Sequence, residues 1–239
     1  MVEGSHCRRL GGRLQSGGSC RSDITGRMID LYCERRGPGL WAEPLNASTN
    51  LAFIAAAIAA WLLARRLGDR SVGSTILMSL AVCVGVGSGA FHTFATAWAK
   101  IADIVPILAF QIVFLWLYLR EVILLRTAAA TAWTAVYFGV SLSTLAMPPY
   151  LNGSISYAPT LIVLLGLAAF HHRTPHSEPN ILWAAAAVFS IALTFRTIDS
   201  AVCPHIAFGT HFLWHLFNGV LLYLAMRTLI VRHASTAAV

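Results

Sequence analysis

Runs of about twenty apolar residues dominate the chain, the length a helix needs to cross a hydrocarbon core roughly 30 Å thick at about 1.5 Å per residue. Seven such runs lie near 45–64, 72–96, 99–119, 127–147, 155–171, 180–199 and 207–230, the fifth being the shortest. The breaks between them are physical. Arg65, Arg66, Gly68 and Asp69 end the first, Pro148–Pro149 ends the fourth, and His171 to Pro179 separates the fifth from the sixth. Only 11% of the residues are charged while 57% are hydrophobic. A soluble domain carries about 25% charged residues, so a soluble core could not hide this much apolar surface. Coiled coils, disordered chains and disulfide-rich miniproteins are excluded too. The expected fold is an all-α membrane protein, a seven-transmembrane helix bundle over residues 28–232, with no internal repeat and no soluble domain.

The formal net charge of +7 speaks to topology rather than to nucleic acid, because basic residues flanking spans set orientation. With the N-terminus outside and the C-terminus cytoplasmic, Arg65, Arg66, Arg70, Arg120, Arg126, Arg173, Arg227 and Arg232 fall on the cytoplasmic side. The opposite loops then carry only Lys100. The N-terminal tail disagrees, with Arg8, Arg9, Arg13, Arg21, Arg27, Arg35 and Arg36. Residues 1–27 are rich in Gly, Ser and Arg and lack the apolar run of a secretory signal. They are expected to be a disordered or misassigned extension, a start at Met28 removing five of those seven arginines. Residues 233–239 are expected to be a short tail. Lys100 as the only lysine, beside abundant alanine, suggests a GC-rich bacterial genome and hence an inner membrane.

Ionisable side chains inside spans are costly and mark function by default. His92, Asp103, His211 and His215 are the informative ones, with Ser88 beside them. His211 and His215 share a helical face, as do Ser88 and His92, because each pair is four residues apart. The turn near Ala97 puts His92 and Asp103 roughly 8–9 Å deep, and entry near Ala207 puts His211 and His215 about 6 and 12 Å deep. Three histidines and an aspartate converge at one level, near the outer face. Three neutral imidazoles with one open position make a catalytic zinc site. Zinc lowers the pKa of bound water to about 7 and polarises a carbonyl. Asp103 would take a proton from the attacking water and return it to the leaving group, and Ser88 would donate to the oxyanion. Asp103 has a second available role, orienting a histidine ligand. Structural hydrogen bonding between helices remains open for the same set, whereas a haem pair does not, since His211 and His215 share a helix. His171, His172 and His176 fall in a loop and read as solvated surface.

A second constellation precedes the first span. Asp30, Glu34 and Glu43 lie within fourteen residues around Gly37-Pro38-Gly39, a set able to wrap a hard cation such as calcium. The alternative is a solvated loop in which Asp30 or Glu34 pairs with Arg35 and Arg36. Asn46 and Asn50 share one face of the first span.

The chain resembles the alkaline ceramidases, within the superfamily that contains the adiponectin-receptor-like membrane hydrolases. The anchors are Cys33-Glu34, Glu43-Pro-Leu-Asn46-Ala-Ser-Thr-Asn50, Ser88-Gly-Ala-Phe-His92 with Asp103, Asp199-Ser-Ala-Val-Cys203 and His211-Phe-Leu-Trp-His215. The resemblance implies a seven-helix zinc amidase that cleaves the N-acyl bond of ceramides. It implies His92, His211 and His215 as zinc ligands, Asp103 as the group that handles the water proton and Ser88 as the oxyanion donor. It implies calcium at Asp30, Glu34 and Glu43. Here the sequence departs, with an extra residue between Asp30 and Cys33 and Arg36 where asparagine is expected. A disulfide between Cys33 and Cys203 is expected, because both fall on the outer, disulfide-permissive side and the resemblance points to the same pair. The leading expectation is a zinc-dependent amide hydrolase acting on ceramide or a similar N-acyl membrane lipid, with no nucleic acid and no inferable protein partner. The competing one is a lipid-responsive receptor or scaffold whose zinc only staples helices, and an ion transporter is a more distant third.

Overall fold

The computed structural model describes residues 28–37 and 39–237, so the 1–27 extension lies outside the described residues. Those residues form helices and connecting turns only: α1 (Pro44–Thr49), α2 (Leu51–Leu67), α3 (Val72–Phe94), α4 (Ala97–Glu121), α5 (Thr127–Leu145), a 3₁₀ segment (Tyr150–Tyr157), α6 (Ala158–Arg173), α7 (Ile181–Val202) and α8 (His211–Ala237). α1 runs on into α2 as one rod, and the 3₁₀ segment, kinked by left-handed residues Leu151, Asn152 and Gly153, leads into α6 as another unit. Six of the seven resulting rods are long and apolar enough to cross a membrane. The other, α5, has 19 residues, but its serines and threonines leave no stretch of it apolar enough to qualify.

α3 packs on α4, α7 on α8, and α2 on both α3 and α8. Close approach is possible because α2 presents Ala56, Ala57, Ala60 and Ala64 inward, the small-residue seam that lets helix backbones approach in lipid. Leu77, Tyr118, Leu182, Phe189, Met226 and Leu229 fill the centre. Trp61, Val86, Trp133, Ile162 and Val220 point outward and exposed, as the lipid-facing surface of a membrane protein must.

Two contacts set the height of the site. Pro106 lies inside α4 and has no N–H, so the carbonyl of Ala102 loses its partner one turn ahead. Gly87 of α3 packs directly on that carbonyl, in the space a Cβ would occupy. Ser88 and Asp103, the next residues on each helix, are thereby held face to face. At the other end of the bundle Ser71 caps α3, its hydroxyl accepting from the Ser74 N–H at 3.2 Å, and Asp69 braces that cap by accepting from the Ser71 N–H at 2.9 Å and the Ser74 hydroxyl at 2.6 Å.

Three expectations change. α8 starts at His211 rather than near residue 207, because Gly209 takes a left-handed φ of 63° and closes a turn on the Ile206 carbonyl. His211 is therefore the first residue of its helix and lies shallower than the rise from Ala207 implies. α8 also runs through the expected tail as far as Ala237. His171 is not solvated surface: it is buried at 4% exposure in α6, its Nδ1 lies 2.9 Å from the Tyr118 hydroxyl, and its ring stacks on His176.

Candidate metal centre and adjoining cavity

His92, on the last turn of α3, meets His211 and His215 from the first two turns of α8. Their ligand atoms lie within 4.8 Å of one another, the one convergence of three or more His, Cys, Asp or Glu among the described residues. All three are at 1% exposure.

The outer nitrogens explain the orientation. His92 Nδ1 lies 2.6 Å from Glu43 Oε2, so it carries the proton and donates. His215 Nδ1 lies 2.9 Å from the Thr49 hydroxyl, whose own proton goes to the carbonyls of Leu45 and Asn46. Thr49 therefore accepts from His215. Both Nε2 lone pairs then face each other at 3.1 Å, an arrangement that a shared cation relieves. His211 Nδ1 is buried without a hydrogen-bond partner. The residues present fit a metal ion held by three neutral imidazoles.

Other side chains brace these ligands. Tyr32 stacks on His211, ring centroids 3.6 Å apart, and burial pushes its phenol above the usual value. Asp199 is fully buried and accepts from the Thr210 and His211 N–H groups at 2.7 and 2.9 Å and from the Cys33 N–H at 3.0 Å. It thus anchors the N-terminus of α8, where a negative charge is stabilised by the helix dipole. Cys33 and Cys203 are joined by a disulfide. Cys83 is a free thiol; Cys7 and Cys20 lie outside the described residues.

Ser88, Asp103, His211 and His215 line one cavity of about 320 Å³, together with Tyr32, Arg196 and Trp214. The Ser88 hydroxyl faces the Asp103 carboxylate, and Asp103 Oδ1 is buried without a partner. Trp214, Tyr157, Ile107 and Gln111 also line a second, almost wholly apolar cavity that runs among Phe53, Phe110, Phe114 and Phe189.

The carboxylates expected to hold calcium do other work. Glu43 is buried, and Arg35 Nε donates to its Oε1 at 2.5 Å while Asn46 Nδ2 donates to its Oε2 at 3.1 Å. Burial alone would raise the Glu43 carboxyl, but the hydrogen bonds from His92, Asn46 and Arg35 outweigh it and hold the group below its usual range. Glu34 accepts from the Leu45 and Asn46 N–H groups at 2.7 and 2.8 Å and so caps α1. Asp30 is exposed. A guanidinium fills the place of a cation on Glu43, so these residues do not fit a calcium site. Arg35 also donates to the His92 carbonyl at 2.8 Å, and Arg36 to the Ala207 carbonyl at 3.2 Å. Neither arginine pairs with Asp30 or Glu34, as the loop alternative had it.

Signals for Tyr32, Arg35, Thr49 and Arg196 are faint in the sequence, where only Arg196 stands out as an ionisable residue within a span. No curated protein gives a significant match to the chain. The Ceramidase family model matches residues 33–238, and the chain belongs to that family.

Proposed function

We propose that the chain is a zinc-dependent amidase that cleaves the N-acyl bond of ceramide or a similar long-chain N-acyl lipid within the membrane. The observation that carries this reading is the shared cavity. Two of the three clustered imidazoles, His211 and His215, line it together with an unpartnered carboxylate oxygen and a hydroxyl, and an aromatic, apolar channel adjoins it. When bound, zinc supplies Lewis acidity for the amide carbonyl and for the water that attacks it. Asp103 takes a proton from that water as its oxygen adds to the carbonyl carbon. Asp103 then delivers the proton to the nitrogen as the C–N bond breaks, leaving a fatty acid and a free amine. Ser88, poised between Asp103 and the cavity, donates to the oxygen on which negative charge develops. The apolar channel takes the acyl chain, which passes from one apolar environment to another and so gains orientation rather than hydrophobic free energy.

Release of fatty acid from ceramide by the purified protein, abolished by a zinc chelator and by His215→Ala, tests the proposal. Asp103→Asn should lose most of the rate while keeping its metal. Full turnover in that variant would remove Asp103 from the chemistry, whereas no turnover by the wild type on any N-acyl lipid favours a metal that only staples helices.

A further inference from the structure

Arg196 lies on α7 inside a membrane-spanning segment, where a charge is costly and calls for a reason. Its guanidinium lines the same cavity as Asp103, His211 and His215. Aromatic rings surround it, with centroids 5.8 Å away at Tyr32, 5.3 Å at Tyr157 and 5.3 Å at Trp214. Nη1 donates to the Tyr32 hydroxyl at 3.1 Å, whereas Nε is buried without a partner. Among the described residues no carboxylate forms an ion pair with it; Asp103 acts on it only from longer range. Lys100 lines the same cavity, also outside any of those pairs. Two cations thus face one carboxylate, even before a metal adds its own charge. The adjoining backbone is strained: Leu151 and Asn152 take left-handed φ values of 52° and 56°, which persist only where surrounding contacts hold them. One such contact is Asn152 Nδ2, which donates to the Arg196 carbonyl at 2.9 Å.

We infer that the cavity selects N-acyl lipids whose amine part carries an anionic group, a carboxylate or a phosphate, and that Arg196 binds it. The inference rests on the amidase reading of this site and narrows its substrate from ceramide, whose headgroup is neutral, to the similar N-acyl lipids whose amine part is anionic. A guanidinium offers parallel N–H donors that match two oxygens of one anion. A neutral, hydroxyl-only headgroup would leave the charge uncompensated in a cavity walled by aromatic rings. With the acyl chain in the apolar channel, the amine part lies on the cavity side, where Arg196 and Lys100 are.

Paired lipids of equal chain length provide the test: N-palmitoylglycine, N-palmitoylethanolamine and palmitate, added to the purified full chain. Binding is read first, as thermal stabilisation of the Asp103→Asn variant, which needs no turnover. N-palmitoylglycine should bind at least tenfold more tightly than the ethanolamide, and adding Arg196→Met should erase the difference. Arg196→Lys, which keeps the charge, should retain part of it. In the Asp103-intact protein the ratio of kcat/KM between the two amides should follow the same order, chiefly through KM. Equal binding of both amides overturns the inference, as does an equal loss for both in Arg196→Met, the signature of a prop for Tyr32. Palmitate that binds as tightly as N-palmitoylglycine also overturns it, by assigning the anion site to the product. A binding preference with neither amide hydrolysed upholds the anion site and sinks the amidase reading; hydrolysis without preference does the reverse.

Discussion

Glu43 holds both the donor nitrogen of His92 and the guanidinium of Arg35, so one carboxylate couples a metal ligand to a buried cation. Removing such a carboxylate from a histidine ligand typically costs 10–100-fold in metal affinity. Glu43→Gln should fall in about that range by chelator competition, and its melting temperature should drop as well, because it leaves Arg35 buried and unpaired. Arg35 should make calcium dispensable: EGTA leaves the melting temperature unchanged, whereas Arg35→Ala lowers it, because a broken buried pair costs about 3–5 kcal/mol. A calcium-dependent rise in melting temperature of the wild type would count against this. The difference in legibility is physical. His211 and His215 reveal themselves by a spacing of four inside an apolar run, and Ser88 with His92 does the same. Arg35 and Glu43 read as a loop charge pattern open to calcium or to solvent, because nothing local says that His92, at a separation of 49 residues, will take one oxygen.

Gly87, Pro106 and Asp69 show how helices transmit position to the site. Gly87→Ala places a methyl group on the Ala102 carbonyl and forces α3 and α4 apart. Overpacking of this kind costs about 1–3 kcal/mol, and it separates Ser88 from Asp103. The expected result is lower turnover with metal content unchanged; a variant as active as the wild type would refute this role for the contact. Asp69 lies beyond the spans. Its burial alone would raise the carboxyl, but hydrogen bonds from Ser74, Ser71 and His233 outweigh that and lower it. Its contribution to stability is therefore fully present above the unfolded value of about 3.9 and is lost as pH falls through the lower folded value. Melting temperatures from neutral pH down to about 3 should drop less steeply in Asp69→Asn, since that variant has no proton to take up there. Six of the seven spans were legible from hydropathy, since those runs are long and most break at charges, prolines or glycines. The start of α8 was not, because a turn at Gly209 and the Asp199 carboxylate, not the apolar run, decide it. Neither was the left-handed passage at Leu151 and Asn152, which its own sequence does not favour.

Across the whole molecule, the disulfide joins residues 170 positions apart and fastens the segment before α1 to the turn that launches α8. Asp199 and Gly209 lie against the same joint: Asp199 accepts from the Cys33 N–H, and a Cβ on Gly209 would come within 2.6 Å of the Cys33 Cβ. Tyr32 is the residue before Cys33, so the bridge also holds the ring that stacks on His211. A bridge closing so long a loop stabilises by about 2–4 kcal/mol, through the entropy of the unfolded chain in the simplest account. Cys33→Ser should lower the melting temperature accordingly and loosen the metal, read as faster loss to a chelator. The bond also bears on orientation. Disulfides persist in oxidising compartments, and the arginines at the opposite end of the bundle favour the cytoplasm. The site end is therefore expected to face outward. In intact cells, a membrane-impermeant maleimide should label Cys33 and Cys203 after reduction and neither before it. Labelling that requires lysis would place the site on the cytoplasmic side, and labelling before reduction would mean that the native thiols are free.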